Sequence, residues 1–228
     1  MGLILHETDF GVGSPNEYAF SKHEVDTIDN CVSLGPGRFM SAGDLAQLVE
    51  VLIRSRPGQF AYLPPDILGI SATQLAWYTP PSIRPMWFRS GDHRRKLIVP
   101  WPALLWRARP GQLSVAALDD PNRPKPDQAL FHAPLMNISE RGVLCPGSAV
   151  LPPSCDLEHR LAYEQCVFDT AFTHVSHEKT LKLSGAKAVD STGHLKFWRA
   201  LERRGARRFP GKALVPLNQR VTMWLSGH

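Results

Sequence analysis

The chain has no Cys-x-x-Cys pair; its four cysteines are Cys31, Cys145, Cys155 and Cys166. That spacing indicates neither a zinc knuckle nor a redox dithiol, and in a reducing compartment the four are expected to be free thiols. No apolar run approaches the roughly 20 residues of a membrane-spanning helix. The opening Met-Gly-Leu-Ile-Leu-His-Glu has no basic leader and no small-residue cleavage site, and position 6 is His6 rather than the Ser or Thr that myristoylation of Gly2 needs. A cytoplasmic protein without membrane attachment is therefore expected. No segment resembles a phosphate loop, and no nucleotide, metal or other cofactor is expected. There is no internal repeat. What the chain does have is apolar content: at 228 residues and 43% hydrophobic it can bury a sizeable single core but is short for two full domains.

Charge is unevenly distributed. Residues 1–68 carry 4 Lys/Arg against 9 Asp/Glu, whereas residues 195–228 carry 8 against 1. The basic end is concentrated in Arg199, Arg203, Arg204, Arg207 and Arg208. Such a cluster can bind nucleic acid weakly through phosphates, or an acidic protein face. It can equally be a solvated helix end, where cations are favoured by the helix dipole.

Periodicity supports an α+β domain. Ser41 to Asp44 reads as a capping box before a helix with apolar residues at Leu45, Leu48, Val49, Leu52 and Ile53, ending at Arg56-Pro57-Gly58. From Leu75 to Leu118 short apolar runs alternate with turns: Leu75 to Tyr78, Arg84 to Phe88, Lys96 to Trp101, Ala103 to Ala108 and Gln112 to Leu118. They predict an antiparallel meander whose last strand is half-buried. Trp77, Trp87, Phe88, Trp101 and Trp106 are its expected core. A proline-rich loop follows from Asp119 to Gln128. Beyond it, Ser154 is placed to cap a helix from about Cys155 to Phe172, with Leu157, Leu161, Phe168 and Phe172 on one stripe and Cys155 and Cys166 as packing residues. A loop over Ser176 to Gly193 then leads to a short helix around Leu195 to Leu201.

Between loop and second helix lies the stretch that carries chemistry, His132 to Gly147. It places Asn137 eight residues before Cys145, with a turn at Gly142 between them. An amide donor, a chain reversal and a thiol are the parts needed to hold an acyl thioester and stabilise the oxyanion formed on attack. Pro146 removes one backbone N–H beside the thiol. Bracing the turn through backbone bonds is an alternative role for Asn137. His174, 29 residues after Cys145 and expected at a helix end, can tune the thiol, accept a proton, or act structurally. His132 is expected to be a surface or hairpin residue.

This stretch resembles the active-site flap of ubiquitin-conjugating enzymes. Asn137-Ile138, Gly142 and Leu144-Cys145 match the family pattern, while Leu135 and Met136 stand where a His and a Pro usually stand. The closer resemblance is to the prokaryotic ubiquitin-conjugating-like family D. Members of that branch lack the flap His and carry one after the cysteine, as in Phe172-Thr173-His174. Trp77 to Phe88, Arg123-Pro124 and Ala133-Pro134 extend the similarity, which runs over roughly Leu34 to Leu217. The resemblance implies a ubiquitin-conjugating-like fold, an antiparallel meander flanked by helices with a cysteine-bearing flap. Its domain would span residues 41–217, between an N-terminal extension of residues 1–40 packed on the core and a tail of residues 218–228. It also implies a transferase that takes a ubiquitin-like protein from an activating enzyme as a thioester on Cys145 and passes it to an amine, with Asn137 and His174 in the site. A metal-dependent deconjugase from the same operon is a further implied partner. Two alternatives stay open: a catalytically inactive adaptor with the same fold, or a cysteine hydrolase using Cys145 and His174, oriented by an acid such as Asp169.

Overall fold

A computed structural model of the chain describes residues 2–8, 17–28, 31–55, 62–183, 185 and 188–227. The chain divides into two compact units, Met1–Tyr62 and Leu63–His228. In the first, strands β1 (Gly2–Thr8), β2 (Glu17–Ile28) and β3 (Cys31–Phe39) form an antiparallel sheet, followed by helix α1 (Ala42–Ser55). The capping box forms reciprocally: Asp44 N–H donates to Ser41 Oγ at 3.2 Å, and Ser41 N–H donates to Asp44 Oδ2 at 3.0 Å. Arg38 and then Lys22 hold the Asp44 carboxyl well below the usual carboxylate range. The helix thus groups with the N-terminal strands, and the division between units falls at Tyr62/Leu63. The helix stop expected at Arg56-Pro57-Gly58 lies outside the described residues.

The second unit holds β4 (Ile67–Ser71), β5 (Gln74–Thr79), β6 (Ser82–Ser90), β7 (His93–Trp101), β8 (Ala103–Arg109), β9 (Gln112–Leu118), β10 (Ala129–His132), α2 (Arg160–Phe168), β11 (Ala171–Phe172), α3 (Ser191–Arg203), β12 (Pro216–Arg220) and α4 (Val221–Ser226). All five predicted meander strands are present, but they do not form one meander. β5 pairs with β8 in a six-stranded sheet of order β12-β10-β9-β8-β5-β4, and the β6–β7 hairpin leaves it to form a second sheet with β11. The register supplies a reason: Trp77 on β5 sits opposite Trp106 on β8, and the two indoles stack with centroids 5.8 Å apart. Such a pair adds about 0.5–1.5 kcal/mol beyond its area burial. Pairing β5 with β6 instead would lose it.

The main core lies between the two sheets and helices α2 and α3. Leu104, Trp106 and Ala108 of β8 and Leu113, Val115 and Ala117 of β9 face it. Their neighbours Ala103, Leu105, Ala116 and Leu118 face a second cluster closed by Val221 and Trp224 of α4. The strand expected to be half-buried is therefore covered on both faces. Residues 218–228, set apart in sequence as a tail, supply most of β12 and all of α4.

The second helix is shorter than its pattern suggested. Ser154 caps nothing; its hydroxyl donates to Asp156, and Asp156 Oδ1 accepts the His159 N–H at 3.0 Å ahead of α2. Leu161 is exposed, and the buried face is Tyr163, Cys166, Val167 and Phe168 with Glu164. Trp77 Nε1 donates to Glu164 at 2.9 Å, while burial pushes that carboxyl's pKa up. Cys155 and Cys166 are buried, as expected of packing residues. Trp87, expected in the core, is only half-buried. The loop at Asp119 to Gln128 contains no regular element.

Candidate functional site

Two buried apolar residues, Ile138 and Leu144, pair across an antiparallel bridge and anchor a tight reversal over residues 139–143. Ser139 N–H donates to Val143 O and Gly142 N–H to Ser139 O, both at 2.8 Å. The reversal is docked edge-on to β9: Leu144 N–H donates to Leu113 O at 2.8 Å, and Val115 N–H donates to Gly142 O at 2.7 Å. Gly142 has φ +81°, and a Cβ there would lie 2.9 Å from Val115 O, so this position accepts only glycine without strain. Leu144 points into the core, and Cys145, the next residue, is exposed.

Asn137 joins this reversal to a third segment. Its N–H donates to His174 O at 3.0 Å, and its own carbonyl accepts the Cys145 N–H at 2.8 Å. In an extended residue of an antiparallel pair, N–H and C=O face the same neighbour. Asn137 instead has φ 58°, a left-handed conformation that turns the two groups in different directions, so one residue bonds both segments. Asn accepts that conformation more readily than most residues. The side chain secures the same segment: its Oδ1 accepts from Thr173 N at 3.1 Å, Thr173 Oγ1 at 3.0 Å and His174 N at 3.3 Å, while Nδ2 donates to Ala171 O at 3.3 Å. Cys145, Asn137 and His174 are thereby brought together through the backbone.

His174 does not sit at a helix end. Helix α2 stops at Phe168, and β11 intervenes, paired in parallel with β6. The helix-dipole argument therefore does not apply to it. Instead, its Nδ1 lies 2.9 Å from Thr173 Oγ1, whose proton is committed to the acceptor-only Asn137 Oδ1. In the neutral ring this contact makes Nδ1 the donor and leaves Nε2 as the acceptor on an exposed side chain. Thr173 was not singled out for a role in the sequence, although it lies in the Phe-Thr-His run. Among the described residues Asp169 makes no hydrogen bond with His174. A cleft of about 430 Å³ adjoins the site, lined by Asn137, Pro146, Asp169, Trp87, Arg89 and Arg94 among others.

His132 is not a surface residue. It lies on β10, buried against His177 with ring centroids 5.1 Å apart. Burial, then His177 and Lys179, push its pKa down to about 4, so it is neutral near pH 7. The basic cluster is exposed at and beyond the end of α3. Among the described residues no three His, Cys, Asp or Glu side chains are grouped to hold a metal, and no helix is long and apolar enough to cross a membrane.

The chain matches the family model of prokaryotic E2 family D over residues 44–217, and it belongs to that family. No curated protein and no solved structure matches it. Membership suggests an E2-like role in a prokaryotic ubiquitin-like conjugation system, with an activating enzyme and a ubiquitin-like protein as the general classes of partner. The matched span contains the Asn137–Cys145 reversal and His174, but not Cys31, the other exposed thiol.

Proposed function

We propose that Cys145 receives the C-terminal acyl group of a ubiquitin-like protein from an activating enzyme and transfers it to an amine. The observation that supports this most is that Cys145 is the exposed cysteine of the family span, held one residue beyond a buried anchor on a braced reversal. Loading exchanges one thioester for another: a C–S bond to Cys145 forms as the bond to the activating enzyme's thiol breaks. In discharge the amine nitrogen attacks the carbonyl carbon, the C–S bond breaks, the sulfur leaves as thiolate, and the nitrogen gives up a proton. His174 Nε2 is the acceptor proposed for that proton. Asn137 is proposed to donate to the oxyanion. Its amide carries two hydrogens, of which Ala171 O takes one. A single fixed donor of this kind contributes on the order of 3 kcal/mol to the transition state.

Three aspects of this reading rest on the family resemblance: a bacterial setting, an operon of the kind that encodes the PRTRC system protein B, and a metal-dependent deconjugase beside it. Phosphate contacts by Arg203, Arg204, Arg207 and Arg208 would add only weak, salt-sensitive nucleic-acid binding. An adaptor without catalysis is the second reading, favoured by how fully Asn137 Oδ1 is occupied in bracing. The experiment is loading with activating enzyme, ATP and the ubiquitin-like protein. A reductant-sensitive adduct should form in the wild type and in Cys31→Ala and be absent in Cys145→Ala. Loading that persists in Cys145→Ala refutes the transferase, and a properly folded wild type that never loads favours the adaptor.

A further inference from the structure

A larger cavity, about 1030 Å³, opens at the tip of the same reversal, where Ser139, Glu140 and Arg141 form part of its wall. It is also lined by Arg107, Lys179 and Trp224. The alternation of β8 that sends Leu104, Trp106 and Ala108 into the main core sends Arg107 to the α4 side. There it is 91% buried, at 9% relative exposure. Its Nη1 donates to Trp224 O, and its guanidinium lies 4.6 Å from the Trp224 ring. No carboxylate pairs with it among the described residues. Burial first, and then Arg109, lower its pKa. A guanidinium nonetheless stays charged at neutral pH.

Three polar atoms here are buried and have no partner among the described residues: Arg107 Nε, Trp224 Nε1 and Ser114 Oγ. Ser114 is the cross-strand neighbour of Arg107, and Trp224 Nε1 lies 3.8 Å from where a Gly142 Cβ would be. Water can satisfy an N–H or an O–H, but it does not neutralise a buried cation. An uncompensated buried charge is among the costliest features a fold can carry. At the wall, Lys179 is paired with Glu140 at 2.5 Å, and Arg141 is exposed. With His132 neutral, the lining has an excess of positive charge.

We propose that this cavity binds a phosphate-bearing anion, with Arg107 at its floor and Arg141 and Lys179 at its wall. Donors from a strand, a turn and a helix, on Arg107, Arg141 and Trp224, suit a tetrahedral group with several acceptor oxygens better than a two-oxygen carboxylate. The site does not depend on acyl transfer at Cys145. It does adjoin the reversal that carries Cys145, so occupancy is read out at Gly142 and Trp224.

The test is NMR on the full chain, with inorganic phosphate, inorganic pyrophosphate and AMP added at constant ionic strength, and thermal denaturation in parallel. The Trp224 indole N–H, assigned with Trp224→Phe, should shift saturably, and the melting temperature should rise. Pyrophosphate binding with no gain from AMP points to a free anion; tighter AMP binding points to a nucleotide. Arg141→Glu, which alters only an exposed side chain, should weaken binding about tenfold, the scale for one interfacial charge. Arg107→Met should abolish the response while leaving the ligand-free protein folded. If that variant fails to fold, Arg141→Glu alone decides. A response no larger than with sodium chloride would overturn the proposal, leaving water as the partner of the three atoms. So would an unchanged response in Arg141→Glu, or one lost on charge reversal at Arg203, Arg204, Arg207 and Arg208.

Discussion

The two sides of the Asn137–Cys145 reversal differ in how their polar groups are used. On the His174 side the Asn137 carbonyl, amide N–H and side chain are all engaged, and five bonds tie this residue to the segment from Ala171 to His174. On the Trp224 side the Nε of a buried guanidinium and an indole N–H, both beside a large cavity, and the neighbouring Ser114 hydroxyl have no hydrogen-bond partner among the described residues. A nearly saturated network, with one Asn137 amide hydrogen left over, fixes geometry, as a residue that must present a thiol requires. An unsaturated one is costly to maintain and points to something that completes it.

The largest expected effect comes from breaking the saturated side. Asn137→Ala removes the amide and forces alanine into a left-handed conformation. It should destabilise the fold by about 3 kcal/mol and slow single-turnover discharge to amines about a hundredfold while still permitting loading. Asn137→Gly separates the two contributions, because glycine accepts φ 58° freely: stability should partly recover and discharge should not. Normal discharge in Asn137→Gly would reduce Asn137 to a brace. His174→Ala should slow discharge without a matching loss of stability, because the ring is exposed and its hydrogen bond among the described residues is to Thr173.

Next is the joint between the two sides. Gly142→Ala meets both a positive φ and the Val115 carbonyl, and should cost about 2 kcal/mol in denaturant unfolding. It should also shift the Trp224 indole resonance. A variant as stable as the wild type would show that the reversal is not pinned on β9 as described.

A pH dependence follows from two buried histidines, His132 beside the cavity and His194 on α3. Burial holds His132 at about 4 and His194 at about 3, both below the roughly 6.5 of an unfolded histidine. The unfolded chain therefore binds protons first as pH falls. These two residues contribute full stability above about pH 6.5 and lose it progressively towards pH 4, each with a limiting slope on the order of 1.4 kcal/mol per pH unit. Urea midpoints at pH 7, 6 and 5 should decline, and His132→Gln should flatten the decline. Equal midpoints at pH 7 and 5 would contradict the burial of both rings.

How much of this was legible in the sequence depended on distance along the chain. The capping box at Ser41 and Asp44, the five strands from Gln74 to Leu118, and the reversal around Gly142 are set by neighbours within about ten residues, and each was readable. The departure of the β6–β7 hairpin into another sheet was not, because it depends on Trp77 meeting Trp106 across the inserted hairpin. For the same reason the half-buried reading of β9 failed: α4, which covers its second face, lies more than a hundred residues downstream. In the site, the Asn137 to Cys145 spacing was legible, whereas the placement of His174 beyond β11 and its link through Thr173 were not. The burial of Arg107 was not legible, since an arginine on an amphipathic strand normally reads as solvent-exposed.

The most direct measurement is the intact mass of Cys145→Ser after incubation with activating enzyme, ATP and the ubiquitin-like protein, taken before and after thiol reductant. The account predicts that the wild type gains the mass of the modifier less one water and loses it with reductant. The Cys145→Ser protein should gain the same mass and keep it, as an oxygen ester does. A reductant-sensitive adduct on Cys145→Ser would place the acyl group on another cysteine and contradict the central claim.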